Sequence, residues 1–151
     1  MALSFRYPER LIMEQRARDL TVLLARLVVG ATFLAHAYQK FAINGIDNVA
    51  TGFGKMGIPA PAVAAWFTAL VELCGGLALI LGVLLPVAGV LLAAIMIGAL
   101  ATAHLSSGFF ATDGGFEYVL VLAVASLALG FSGSRYTLAG ALRGNRQVAE
   151  G

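Results

Sequence analysis

The stretch of residues 61–85, PAVAAWFTALVELCGGLALILGVLL, decides the fold because it is long enough to cross a bilayer as a helix. One charged residue, Glu72, stands near its centre. At about 1.5 Å of rise per residue, Glu72 lies about 16 Å below one membrane face. An unpaired carboxylate at that depth is costly, so Glu72 needs a partner, a proton or a water-filled cavity.

The composition of the whole chain is that of a membrane protein. Its 151 residues are 60% hydrophobic and 12% charged, and the mean hydropathy is +0.88. Soluble domains carry about 25% charged residues, so this chain is expected to contact the lipid bilayer along most of its length. The net charge of +2 comes from few ionisable groups near the ends, which suits anionic lipid headgroups and excludes a nucleic-acid surface.

The single cysteine, Cys74, limits the chemistry. A disulfide within the chain, a CxxC redox pair and a Cys-rich metal site all need more than one cysteine. Redox chemistry would therefore need a bound cofactor, a quinone or another subunit.

The hydropathy and the positions of Gly and Pro predict an all-α, antiparallel four-helix membrane bundle in one domain, residues 1–151. Residues 61–105 are almost continuously apolar, and one helix of that length would measure about 68 Å, about twice a bilayer. Gly82 and Pro86 therefore mark a hairpin. The predicted spans are 20–41, 61–83, 86–105 and 114–131, with segments 1–19 and 132–151 outside the membrane.

The distribution of Lys and Arg predicts the orientation. Both termini are rich in arginine, whereas the loop between the first two spans offers only Lys40 and Lys55. The positive-inside rule then places both termini in the cytoplasm. The terminal arginines are Arg6, Arg10, Arg16, Arg18, Arg135, Arg143 and Arg146.

Two charged residues inside the spans are predicted to pair. Arg26 lies about 8 Å inside the cytoplasmic face, so its depth differs from that of Glu72 by only about 6 Å. Since the first two spans run antiparallel, we expect an Arg26–Glu72 ion pair facing the bundle interior. Such a pair either locks the helices or carries a proton, and the sequence leaves both open.

A second polar group is predicted near the outer face, within about 8 Å of one depth. Its members, from three spans, are His36, Lys40, His104, Asp113 and Glu117. They would relay protons or hold a polar head group, or they simply extend their charges to the interface. The candidate ligand-binding residues are Arg26, His36, Lys40, Glu72, His104 and Glu117.

Glu72 and Glu117 are the candidates for proton exchange, and no catalytic residue is assigned. A haem between the two histidines and a zinc ion on His36, His104 and Glu117 are both disfavoured, because one donor lies at the water boundary. No metal site is therefore predicted, and no cofactor is built in. Close packing of the second and third spans is expected at Gly75, Gly76, Gly89, Ala93, Ala94 and Gly98.

Several motifs resemble those of the DoxX family of small bacterial membrane proteins, over roughly residues 20–140. They are Arg26 with Gly30 and Lys40-Phe41, GKMGIPAP at 54–61, ELCGGLALILG at 72–82, His104 with SSGFF, GGFEYVLVL with Glu117, and GFSGSRYTL at 130–138. The family's usual ending has Gly-Pro-Gly and an acid soon after the tyrosine; here Ala139 stands where that acid is expected.

The resemblance implies four helices, a bacterial inner membrane and a quinone-linked context, without implying that this chain alone is an enzyme. The favoured hypothesis is a membrane subunit that binds a quinone, or docks a soluble redox enzyme or second membrane subunit, in a respiratory or quinone-stress complex. Two alternatives remain, a small proton-coupled transporter and a structural scaffold or assembly factor. Further association into a homo-oligomer is compatible with all three.

Overall fold

The computed structural model describes residues 9–133 and 136–137, and all the regular structure within these ranges is helical. The predictions for Arg6 and for the basic tail with Arg135, Arg143 and Arg146 fall outside the described residues, as does Ala139.

The first helix, α1, covers Glu9–Tyr38 and is longer than expected. It begins eleven residues before the predicted span, because residues 9–19 (ERLIMEQRARD) contain good helix formers and neither Gly nor Pro. Residues 11–18 are exposed, whereas the carboxylate-bearing Asp19 is buried. The helix then continues without a break as a π-helix, Gln39–Asn44, which ends at Gly45 with φ 74°.

A short helix, α2, occupies Ile46–Lys55, where the sequence predicted a loop. Its half-buried residues Ile46, Val49, Ala50 and Phe53 follow helical spacing, while its exposed side is polar. This helix packs against the next one, α3. The prediction of a loop was wrong because two glycines and a short length concealed an amphipathic pattern.

Helices α3, Pro61–Leu81, and α4, Leu85–Ala99, confirm the predicted hairpin. Gly82 and Leu84 both adopt left-handed backbone conformations, with φ 69° and 48°. For Leu84 this is an uncommon conformation, which the tight turn between two long helices imposes. Beyond α4 the helix continues as a second π-helix, Leu100–His104.

The last helix, α5, covers Glu117–Phe131 and begins three residues later than predicted. Residues 114–116 belong instead to a compact loop, in which the amides of Phe116 and Glu117 donate to the carbonyls of Gly108 and Phe109 at 3.0 and 2.9 Å. Three continuous helical segments are long and apolar enough to cross a membrane: Leu11–Asn44, Pro61–Leu81 and Leu85–Ser107. The fifteen residues of α5 measure about 22 Å, less than the bilayer core of about 30 Å.

Close contacts between glycines set the spacing of the helices. A Cβ added at Gly30 of α1 would lie 2.8 Å from the carbonyl oxygen of Gly76 in α3, and the reverse substitution would meet Gly30 at the same distance. Between α4 and α5, a Cβ at Gly89 would lie 2.8 Å from the Cα of Gly130. The helix backbones touch at both places, and no larger residue fits without displacement.

The small residues predicted to pack α3 against α4 also pack these two helices against α1 and α5. Gly75 does face α4, where a Cβ would lie 2.7 Å from Leu92 Cγ, as expected. Gly76 instead contacts α1 and Gly89 contacts α5, while Gly98 has nothing within 4 Å of a Cβ position.

The outer surface of the helices is apolar. On α3, for example, Val63, Phe67, Leu70, Leu77 and Leu81 are all exposed. Exposing a contiguous apolar surface of this extent to water is unfavourable, whereas contact with lipid chains suits it.

Candidate functional site

Glu72 pairs with Lys40. The ammonium nitrogen of Lys40 lies 2.6 Å from Oε1 and 2.5 Å from Oε2 of Glu72, so both carboxylate oxygens accept from it. The Glu72 side chain is 3% exposed and that of Lys40 is 18% exposed. The charge in the middle of α3 is therefore neutralised by a charge-assisted, bidentate contact.

The predicted Arg26–Glu72 pair was wrong. Arg26 is fully buried, but its Nη2 donates to the backbone carbonyl of Tyr136. Its Nε and Nη1 have no hydrogen-bond partner among the described residues. Near it stands Gly82, where an added Cβ would lie 3.0 Å from Arg26 Nη1. Arg26 thus belongs to the end of α3 that is remote from Glu72.

The Gly30–Gly76 contact explains this correction. Arg26 precedes Gly30 by four residues, and Glu72 precedes Gly76 by four. Because α1 and α3 run in opposite directions, Arg26 and Glu72 lie about 6 Å to opposite sides of the contact, so about 12 Å separates them along the helix axis. Lys40 lies on the same side as Glu72 and reaches it with a long side chain.

A cavity of about 330 Å³ adjoins the Lys40–Glu72 pair. It lies between α1, α3, α4 and the start of α5. Four of the six candidate ligand-binding residues line it: His36, Lys40, Glu72 and His104. The structure thus brings these four together. The other two, Arg26 and Glu117, are not part of the wall.

His104 is held at the rim of the cavity by the loop before α5. Its Nδ1 lies 2.7 Å from the carbonyl oxygen of Gly114, which can only accept. Nδ1 is therefore the protonated nitrogen, and in the neutral ring Nε2 is left as an acceptor.

The remaining members of the outer polar group are arranged differently from one another. The His36 ring packs against the Tyr118 ring, with centroids 6.2 Å apart, and both residues line the cavity. Glu117, directly before Tyr118, is half-buried at the first turn of α5. Asp113 is exposed in the preceding loop.

Both π-helices contribute to this cavity. Lys40 lies in the π-helix after α1, and His104 ends the π-helix after α4. A π-turn adds a residue to the helical repeat, so it turns the side chains that follow onto a different face. Such turns are frequent at functional sites, and here two of them present cationic or ionisable side chains to one cavity.

Sequence reasoning missed several residues of the site. Phe53 of α2 and Thr68 and Tyr118 also line the cavity. Thr68 stands one helical turn before Glu72, and that spacing was a usable signal. Outside the cavity, sequence reasoning also missed the buried charge of Asp19, which is 2% exposed and accepts a hydrogen bond from Gln15 Nε2 at 3.2 Å. Its position seven residues before Arg26, on the same face of α1, was the available signal.

No group of three or more His, Cys, Asp or Glu side chains that would suit a metal ion occurs within residues 9–133 and 136–137. Cys74 is exposed on α3 and lies outside the cavity.

The fold, the buried charges and the motifs define a class of protein. A family model described as DoxX matches residues 21–105, and the chain belongs to the DoxX family of membrane proteins. This match confirms the resemblance inferred from the motifs.

Two relatives support this membership. The chain is 34% identical to a Bacillus subtilis (strain 168) protein named "Putative oxidoreductase CatD", over 118 residues that make up 78% of this chain and 83% of the relative. It is 35% identical over 99 residues to the "Uncharacterized membrane protein Rv3486" of Mycobacterium tuberculosis (strain ATCC 25618 / H37Rv), covering 62% of this chain and 60% of that one. No solved structure gives a significant match.

Proposed function

We propose that this chain is a membrane subunit that binds the head group of a quinone in the cavity beside Lys40 and Glu72, within a respiratory or quinone-stress redox complex. The observation that carries the proposal is the cavity itself, in which a buried ion pair and two histidines meet a wall that is otherwise largely apolar. The relative named as an oxidoreductase agrees with a redox context.

The residues present fit a quinone head group. The volume of about 330 Å³ lies at the lower end of the range for small-molecule sites. Lys40 has three N–H donors and gives two to Glu72, which leaves one for a carbonyl oxygen in the cavity. His104 Nε2 accepts from a hydroxyl when the ring is neutral and donates to a carbonyl when it is protonated. The site can therefore serve both redox forms of the ligand.

The protein's part is binding and proton handling. When bound, a quinone supplies two-electron, two-proton redox chemistry, which no side chain of this chain replaces. Lys40 orients an oxygen, Glu72 holds the ammonium in place, and the His36–Tyr118 contact positions the His36 ring beside them. Glu72 in the cavity wall and Glu117 next to it are the groups proposed for proton exchange.

The proposed setting is a bacterial inner membrane, with α5 as a fourth, short span and both termini in the cytoplasm. Little tilt, or local thinning of the bilayer, accommodates a helix of that length. The arginine-rich ends support this orientation. Electrons would come from a soluble redox enzyme or a second membrane subunit, and a homo-oligomer is compatible with the apolar exterior.

The test is direct binding of a tritiated quinone with one isoprene unit to the purified chain in lipid nanodiscs. Removing both members of the ion pair, Lys40→Met with Glu72→Gln, leaves no unpaired charge, so this double variant is expected to fold. It is expected to bind the quinone at least about tenfold more weakly, since a charge-assisted hydrogen bond is worth about 1.5–3 kcal/mol.

The matched control changes a Lys and an Asp outside the cavity, Lys55→Met with Asp47→Asn, on the exposed side of α2. It should bind as the wild type does. The proposal is wrong if the wild type binds no quinone, or if the cavity double variant binds as tightly as the control.

A structural scaffold is the second candidate, favoured by one observation. The fully buried Arg26 donates to the backbone at Tyr136 and lines no part of the cavity, which is the arrangement of a lock between segments. If a complex isolated with this chain keeps its activity in the Lys40→Met, Glu72→Gln variant, the scaffold is the better account.

A further inference from the structure

A second cavity, of about 350 Å³, lies beside the first and differs from it in chemistry. Its wall comes from the connection between α2 and α3, including Met56 and Pro59, and from the later part of α4 and its π-helix, including Gly98 and Thr102. None of its lining residues is ionisable, and the cavity is partly open to the surroundings of the protein.

The two cavities share part of their walls. Phe53, Thr68, Ile95, Ala99 and Ala103 line both. Three of these five side chains are small, so the partition between the charged cavity and the apolar one is thin. The two larger side chains in it are Ile95 of α4 and Phe53 of α2, the helix that the sequence did not predict.

The charged cavity is too small for a ligand with a long chain, since drug-sized ligands occupy sites of about 300–1,000 Å³. A membrane-soluble ligand whose head lies beside Lys40 and Glu72 must place its chain elsewhere. The adjoining cavity offers a largely apolar path with no ionisable group to desolvate, and the hydroxyls of Thr68 and Thr102 are already bonded to backbone carbonyls.

We propose that the ligand is an amphiphile with a polar ring and a long apolar chain, and that its chain lies in the second cavity beneath α2, passing between Phe53 and α4 to the bilayer. This inference rests on the proposed function, because it assigns the chain of the same ligand. Entry is then sideways from the lipid, and the wall residues that both cavities share line the passage. Because lipid is as apolar as the cavity, the chain adds affinity through close packing rather than through escape from water.

Gly98 provides a way to fill the second cavity alone. A Cβ at this position meets no atom within 4 Å, so the side chain of Gly98→Phe has room to enter the cavity without forcing helices apart. The neighbouring Ile97 is 54% exposed and lines neither cavity. Ile97→Phe therefore adds the same ring to the same helix on the lipid side and serves as the control.

The experiment measures the Kd values of two probes for the purified chain in nanodiscs. One is a tail-less dimethoxy-methyl-benzoquinone and the other is the same ring with a decyl chain, each corrected for partition into empty nanodiscs. In the wild type and in Ile97→Phe, the decyl probe is expected to bind about tenfold more tightly, a difference of about 1.4 kcal/mol. In Gly98→Phe this advantage is expected to disappear, while the affinity for the tail-less probe stays within about twofold.

The outcomes separate the two proposals. If the wild type binds both rings equally, or Gly98→Phe keeps the advantage of the chain, the second cavity holds bilayer lipid and the inference is wrong while the quinone site stands. If the wild type binds neither probe, the proposed function fails and the chain assignment fails with it. Should Gly98→Phe not fold, Thr102→Leu fills the same cavity from the next turn and is judged by the same criteria.

Discussion

Lys40 Nζ lies within 2.6 Å of both carboxylate oxygens of Glu72, although the two residues come from different helices and Glu72 is almost completely buried. Burial makes such a pair sensitive to the loss of one partner, because the other is left as an uncompensated charge. The pair therefore fixes the relative position of α1 and α3 at the end where the cavity lies. It also keeps an ammonium group available at the cavity wall.

Coupling between Lys40 and Glu72 is the first prediction. In a double-mutant cycle with Lys40→Met and Glu72→Gln, the coupling energy is expected to be about 1–3 kcal/mol. The measurement is the free energy of unfolding in mixed detergent micelles as the denaturing detergent is increased. The same cycle with Arg26→Met and Glu72→Gln should give less than about 0.5 kcal/mol, since these residues do not touch. If the Arg26–Glu72 cycle gave the larger coupling energy of the two, Arg26 and not Lys40 would be the partner of Glu72.

Gly76→Ala is predicted to lower the free energy of unfolding by about 1–3 kcal/mol, because its methyl group would lie 2.8 Å from the Gly30 carbonyl oxygen. Gly98→Ala is the control on α4, where the methyl group meets nothing and helix propensity improves. It should be neutral or stabilising by up to about 1 kcal/mol. Equal effects of the two substitutions would contradict the close approach of α1 and α3.

The burial of Arg26 predicts an unusual order of stabilities. Arg26→Lys is expected to destabilise the protein more than Arg26→Met, by at least about 2 kcal/mol, although lysine keeps the charge. The ammonium group lacks the planar fork that reaches the Tyr136 carbonyl, so it is left buried and unpaired, whereas methionine fills the volume without a charge. Thermal unfolding of both variants in the same detergent measures the difference in stability. If the lysine variant were the more stable one, the side chain at position 26 would be solvated rather than buried.

His104 is predicted to have two separable roles, one for each ring nitrogen. In His104→Asn the side-chain amide can still donate to the Gly114 carbonyl in place of Nδ1, but nothing replaces Nε2 in the cavity. This variant should keep the wild-type melting temperature. It should bind the tritiated quinone with one isoprene unit about threefold to tenfold more weakly. His104→Ala loses both contacts and should be affected in both measurements. Unchanged quinone binding in His104→Asn would exclude a ligand role for Nε2.

The sequence was informative wherever a local rule decides the structure. Gly82 and Pro86 identified the hairpin, because a continuous apolar run must turn back in a bilayer. The grouping of His36, Lys40 and His104 followed from their equal depth, and the structure places all three around one cavity.

Sequence reasoning failed where register between helices decides. Depth relative to the membrane faces suggested Arg26 for Glu72, but the Gly30–Gly76 contact sets the register of α1 and α3 and puts these two residues on opposite sides of it. The π-helix that carries Lys40 also breaks the 3.6-residue period on which a helical stripe depends. Neither feature leaves a signal in the composition of a single chain.

The Gly30–Gly76 contact has a consequence for permeability. It stands between the Lys40–Glu72 pair and Arg26, and at its level Phe33, Leu79 and Leu92 are completely buried. Touching backbones and apolar side chains leave no room for a file of water molecules between α1 and α3. The contact closes the direct path between α1 and α3, so under the proposed function proton exchange in the cavity would not discharge the membrane potential along that path.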